Sequence, residues 1–156
     1  MKSFNTYINE KLNKQTKLLY RAESSSHPER DAISVMTFEI EELGNEDILD
    51  YVLDNYKLSN ELKENIKEYI NNSDGDLENI LKNMLSEIKT QTGKDIKYAL
   101  WLAEKETVID MYDGEENGID VYDTKDGVIL SDLGYDGILF GFEKLPEPID
   151  YIKPEN

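Results

Sequence analysis

The spacing of apolar residues changes at Gly93, and this change restricts the chain to folds that combine helices with a sheet. Between 46 and 92, apolar side chains recur every three to four residues, as they do on one face of an α-helix. After Gly93, short apolar runs typical of β-strands predominate. The sequence therefore predicts an α+β fold in which a small, mostly antiparallel sheet of N-terminal strands and a C-terminal hairpin flanks a three-helix segment, 46–92. A length of 156 residues suits a single domain, 1–156.

Three apolar stripes define the predicted middle helices, and each stripe begins near a residue that can cap a helix. The candidate N-caps are Asn45, Ser59 and either Asp74 or Asp76, whose side chains accept hydrogen bonds from free backbone N–H groups. Gly93 is the predicted C-terminal stop. The stripes are Ile48, Leu49, Val52, Leu53 and Tyr56; Leu62, Ile66, Tyr69 and Ile70; and Leu77, Ile80, Leu81, Met84, Leu85 and Ile88. We interpret them as core faces, which either pack on the sheet or form a separate block.

The other segments predict strands, a short N-terminal helix (1–16), a second short helix (104–112) and an extended tail (144–156). The predicted strands cover 17–23, 32–40, 97–103, 119–122, 128–133 and 138–143. We expect the last two strands to form a hairpin, because the step Asp136-Gly137 between them can adopt the positive φ angles of a tight turn.

Composition excludes several functional classes. The chain has no Cys and one His, which excludes disulfide scaffolds, thiolate zinc sites and multi-histidine metal sites. The acidic loop that begins at Asp113 starts like a calcium loop, but Asp120 and Thr124 stand where such a loop has an apolar residue and a bidentate Glu, so no metal site is predicted. A net charge of −17 argues against direct nucleic-acid binding. Without a signal peptide or a long apolar run, we expect a cytoplasmic protein that binds no membrane.

The charge is distributed unevenly along the chain. Residues 1–22 carry five basic side chains and one acid, whereas 107–156 carry thirteen acids and three lysines. This asymmetry predicts a small non-enzymatic binding or inhibitor protein that engages a basic surface of a partner, because carboxylates can stand in for phosphates and accelerate association. The predicted contact residues are Asp113, Glu115, Glu116, Asp120, Asp123 and Asp126. The alternatives are an acidic composition without mimicry and a homodimer, which ten tyrosines permit.

Arg21 is the basic residue with the most unusual sequence context. It lies inside an apolar segment, Leu18-Leu19-Tyr20-Arg21-Ala22, and Arg30 is the one other arginine. Its planar guanidinium suits a bidentate grip on a phosphate or carboxylate. Arg21 therefore either forms an internal ion pair or holds an anionic ligand.

Three short segments resemble small proteins with an ADP-ribosyltransferase-like fold, many of them encoded by phages and mobile elements. The segments are KLLYRAES, YALWLAEKETVIDMY and DLGYDGILFGFE. The resemblance implies that Tyr20 and Arg21 contact NAD and that an acid among Glu104, Glu106 and Glu143 stabilises an oxocarbenium-like centre. The family's Ser-Thr-Ser element and its Gln/Glu-x-Glu element are absent, so no catalytic Glu is assigned. Two functions follow as hypotheses: a counter-defence inhibitor of a nucleic-acid-handling defence enzyme or toxin, or an NAD-using transferase.

Overall fold

The chain forms helices between residues 32 and 92 and strands on both sides of that segment. The computed structural model describes residues 17–22, 30–111 and 118–154. Its helices are α1 (Ala32–Thr37), which continues into a π-helical turn (Phe38–Glu42), then α2 (Asp47–Asn55), α3 (Asn60–Asn72), α4 (Leu77–Thr92) and α5 (Lys105–Met111). Its strands are β1 (Leu18–Ala22), β2 (Tyr98–Leu102), β3 (Ile119–Asp123), β4 (Val128–Asp132), β5 (Ile138–Phe142) and β6 (Asp150–Ile152). The predicted α+β single-domain fold is confirmed, and the predicted N-terminal helix lies outside the described residues.

Local capping explains where the three central helices begin and end. The Ser59 side chain accepts a hydrogen bond from the Leu62 N–H at 3.2 Å, and the Asp76 side chain accepts one from the Asn79 N–H at 3.4 Å. Gly93 ends α4 in the left-handed conformation, as predicted. The N-cap position of α2 is Glu46, one residue later than predicted, and its side chain makes no cap. The Asn45 side chain still accepts a hydrogen bond from the Asp47 N–H at 3.2 Å, so it caps a backbone group at the start of α2.

The segment 32–40 is helical, so its prediction as a strand is wrong. Asp31 caps α1 by accepting a hydrogen bond from the Ser34 N–H at 3.0 Å. Ala32, Met36 and Ile40 are buried at a spacing of four residues, which is a helical period. The approximate alternation of apolar residues along this segment therefore resembled a strand pattern, although the segment is a helix.

Two antiparallel three-stranded sheets take the place of the single sheet expected. Their strand orders are β1-β3-β6 and β2-β5-β4, and one antiparallel bridge between Tyr20 and Ala103 joins them. The predicted hairpin of β4 and β5 is confirmed. Its turn takes positive φ at Gly134 (69°) and Gly137 (148°). The tail, expected to be only extended, contributes β6, and the Ile149 N–H donates to the Val121 carbonyl at 2.8 Å.

Three apolar clusters stack these elements in layers. The first lies between α1–α4 and one face of the β2-β5-β4 sheet, so the helical block packs on that sheet. The second lies between the two sheets and contains Leu19, Leu100, Leu102, Tyr122, Phe140 and Phe142. The third lies under α5 and contains Ala22, Ala103, Val108 and Ile119. Within the described ranges, no helix combines the length and apolar character needed to cross a bilayer.

Candidate functional site

Arg21 lies in the layer between the two sheets. β1 pairs with β3 so that Arg21 stands opposite Asp120 and Leu19 stands opposite Tyr122. Because side chains alternate along a strand, these four residues share one face of the sheet. The Arg21 Nη1 donates to the Trp101 carbonyl at 3.0 Å. Its Nε is buried and has no hydrogen-bond partner among the described residues.

Burial and, to a smaller extent, neighbouring charges shift the pKa values of Arg21 and Tyr122. Burial and the like charge of Arg30 lower the pKa of Arg21 to about 10, so its guanidinium stays protonated at neutral pH. Burial and the neighbouring Asp120 raise the pKa of the Tyr122 hydroxyl. This part of the layer therefore holds two arginines, one carboxylate and a neutral tyrosine in a strongly acidic protein.

The structure does not bring the three candidate glutamates together with Arg21. Glu143 follows β5 at its far end, about 13 Å along the strand from the residue that pairs with Trp101, and accepts a hydrogen bond from the Asp95 N–H at 2.8 Å. Glu106 belongs to α5, which packs against the opposite face of β1 from Arg21. Glu104 precedes α5 and is exposed, as is Glu106. No carboxylate from this set faces the guanidinium.

The predicted contact acids divide between different environments. Asp120 is the cross-strand neighbour of Arg21. Asp123 accepts a hydrogen bond from the Lys125 N–H at 2.9 Å in the turn between β3 and β4, where Asp126 is exposed. The remaining three predicted contacts, Asp113, Glu115 and Glu116, lie outside the described residues. Among the predicted contact acids that the structure describes, Asp126 is therefore exposed, whereas Asp120 and Asp123 are partly buried.

An open groove of about 580 Å³ lies between the α1 segment and α4. We call it the acidic groove, because its lining includes four carboxylates and one lysine. The lining residues are Asp31, Ile33, Ser34, Thr37, Phe38, Glu41, Glu42, Glu78 and Lys82. Lys82 pairs with Glu78 across one helical turn at 3.1 Å, so the remaining charge of the groove is negative. The hydroxyl oxygen of Thr37 is buried and has no partner among the described residues.

The π-helical turn shapes one wall of the acidic groove. The Leu43 N–H donates to the Phe38 carbonyl, five residues earlier, at 3.2 Å, which widens the helix at this point. Asp31, Ser34, Phe38 and Glu41 follow one another at steps of three or four residues and so share one helical face. The Phe38 side chain is 39% exposed. The groove therefore presents an aromatic ring among carboxylates.

Sequence reasoning missed the acidic groove because it treated 32–40 as a strand. A strand would place Phe38 and Glu41 on opposite faces, whereas the helix places them side by side. The available signal was Asp31, a residue type that favours helix N-caps, together with the spacing of Ala32, Met36 and Ile40.

Neither metal ligation nor similarity to known proteins identifies a site. Across 17–22, 30–111 and 118–154, no group of three or more Asp, Glu or His side chains is arranged to hold a metal ion. No protein-family model, curated protein or solved structure matches the chain.

Proposed function

We propose that the protein is a non-enzymatic binding protein that engages a basic surface of a partner, and that the acidic groove is a contact site. The observation that carries this proposal is the acidic groove, where four carboxylates surround an exposed aromatic ring. The target class remains the one suggested by the sequence: a nucleic-acid-handling defence enzyme or a toxin with a cationic face.

The chemistry of the groove suits arginine or lysine side chains. Carboxylates attract and bind the cationic head group, and the face of a nearby phenyl ring attracts it further. Glu41 and Glu42 supply charge on one wall, and Glu78, which also pairs with Lys82, lies on the other. A guanidinium that enters between the walls can therefore meet carboxylates from both sides.

Long-range attraction should assist this contact. The chain carries twice as many acidic as basic side chains, so its field draws basic partners toward it, within the ~8 Å screening length of physiological salt. The loop acids Asp113, Glu115, Glu116 and Asp126 stay predicted contacts with the partner, and their negative charge adds to this attraction. Binding is therefore expected to weaken as salt rises.

The test measures binding of an arginine-rich peptide by titration calorimetry at low and high salt. We expect the triple variant Glu41→Gln/Glu42→Gln/Glu78→Gln to bind the peptide roughly tenfold more weakly than the wild type. A tenfold loss of affinity corresponds to about 1.4 kcal/mol, which the three lost carboxylate contacts share. Asp31 is left unchanged because its side chain caps α1.

A matched control separates contact in the groove from total charge. The variant Glu61→Gln/Glu64→Gln/Asp74→Asn removes the same three charges from exposed positions on and after α3. It should bind the peptide within about threefold of the wild type at physiological salt, since exposed charges that do not line the groove are largely screened there. Equal weakening of both triple variants would refute a contact role for the groove.

A second candidate function, an NAD-using transferase, is favoured by the environment of Arg21. Its buried Nε lacks a hydrogen-bond partner among the described residues, and Arg30 places a second positive charge nearby. A donor of this kind fits the oxygen of a phosphate or a carboxylate. The separation of Glu104, Glu106 and Glu143 from Arg21 favours the binding protein over the enzyme.

Thermal protection by NAD tests this second candidate. If Arg21 holds a phosphate of NAD, a concentration near ten times the dissociation constant should stabilise the wild type by about 1.4 kcal/mol, measurable as a raised melting temperature. Arg21→Lys keeps the positive charge but loses the planar guanidinium. NAD should therefore no longer raise the melting temperature of this variant. Lys17→Gln, an exposed change before β1, should retain protection. A wild type that millimolar NAD does not protect would contradict NAD binding.

A further inference from the structure

The turn between β4 and β5 holds the most exposed large apolar side chain among the described residues. Tyr135 is 88% exposed at the centre of this turn, 133–137. A tyrosine gains little stability from such a position, because its ring leaves almost no apolar area buried. We call this segment the Tyr135 turn.

Hydrogen bonds hold the Tyr135 turn in place at three points. The Leu133 N–H donates to the Gly137 carbonyl at 2.9 Å, and the Gly134 N–H donates to the Asp132 side chain at 2.8 Å. The buried Thr107 hydroxyl of α5 donates to the Tyr135 carbonyl at 3.1 Å. The backbone is therefore fixed while the ring projects into solvent, which reduces the entropy lost when the ring binds.

The same contact places α5 beside the turn. Met111 lies four residues after Thr107, on the same face of the helix, and is 54% exposed. Exposed acids flank the two apolar side chains: across 104–111 and 132–137 there are five Asp or Glu residues and one lysine. The exposed tyrosine and methionine therefore lie on two neighbouring segments that also carry five exposed acids.

We propose that Tyr135 and Met111 form the centre of a second docking surface, which packs against an apolar patch rimmed by Lys and Arg on a basic partner protein. Charge complementarity selects this occupant, because the acids around the pair fit a basic rim. Tyr is enriched at the energetic centres of interfaces, and Met adapts to irregular pockets. A second copy of this chain would bring the same acids face to face. The inference rests on the proposed function, since it takes the partner to be basic.

The test compares two peptides of equal positive charge, one arginine-rich with a central Leu-Trp pair and the other with two serines in its place. Amide chemical shifts of the full chain locate binding, and calorimetry measures affinity. We expect the Leu-Trp peptide to shift amides of 104–111 and 132–137, and Tyr135→Ser to weaken its binding roughly tenfold, as loss of an interface centre does. The serine peptide should bind Tyr135→Ser as it binds the wild type.

Controls separate docking from stability and from the acidic groove. Tyr135→Ser should melt within about 2 °C of the wild type, because the side chain is exposed. Leu145→Ser, an exposed apolar change in the tail, should bind both peptides as the wild type does.

If the wild type binds neither peptide, the proposed function fails with this inference. If both peptides bind alike and Tyr135→Ser changes nothing, this inference alone fails. If the wild type self-associates and Tyr135→Ser abolishes that self-association, the proposed basic partner is wrong, and the surface binds a second copy of this chain.

Discussion

Leu81→Ala is expected to lower the free energy of unfolding by about 3 kcal/mol, because it leaves a cavity at a fully buried position of α4. Leu81 belongs to the apolar cluster between the helices and the β2-β5-β4 sheet, so its truncation removes contacts inside that cluster. For a chain of this size, the melting temperature should fall by roughly 6–12 °C. In urea-induced unfolding, the urea concentration at the midpoint should fall. The slope of the unfolding free energy against urea concentration should change little.

Asn83→Ala is the matched control for Leu81→Ala. Asn83 is exposed on the same helix, two residues further on. Replacement by Ala should leave the unfolding free energy within about 0.5 kcal/mol of the wild type. A Leu81→Ala variant that unfolds like Asn83→Ala would mean that Leu81 is not buried in the apolar cluster as described.

Gly141→Val is expected to destabilise the protein by about 2–3 kcal/mol, because the central strand β5 has no room for a side chain there. A Cβ at this position would lie 2.7 Å from the Ile96 Cγ2 and 3.1 Å from the Leu130 Cδ1. Gly141→Ala should cost less, since it adds one methyl group. Thermal and urea unfolding of both variants measures this order.

Two comparisons identify the cause of the Gly141 effect. Gly44→Ala meets no neighbouring atom within 4 Å, and its φ is +65°, so its cost should be the backbone penalty of about 1 kcal/mol. Combining Gly141→Ala with Ile96→Ala should cost less than the sum of the two single changes, because the second removes the atom that the first meets. Simple additivity would count against a clash with Ile96.

The three central helices could be predicted because their apolar stripes are long and their caps are local. Ser59 and Asp76 bond to groups three residues away, so neighbouring sequence determines those helix starts. The segment that includes α1 is shorter, and Ile33, Val35, Phe38 and Ile40 mimic the alternation of a strand. Packing of Met36 in the helical cluster decided against the strand.

The candidate sites were less predictable, because each depends on residues far apart in sequence. The acidic groove requires Glu78 of α4 to face Glu41, and no local pattern specifies this pairing. Arg21 stood out as a charge in an apolar strand, but its opposition to Asp120 depends on the register of β1 and β3. Composition predicted the abundance of carboxylates and could not predict which of them border the groove.

The short strand β6 limits how one edge of the β1-β3-β6 sheet can pair with another molecule. A sheet edge exposes unpaired backbone groups, which can recruit a strand from another molecule. β6 covers the edge of β3 with three residues, and Pro146, Pro148 and Pro154 flank it along the chain. Proline has no N–H to donate and cannot extend the ladder. The tail therefore ends the β1-β3-β6 sheet with an edge too short and too interrupted to serve as a template for fibril growth.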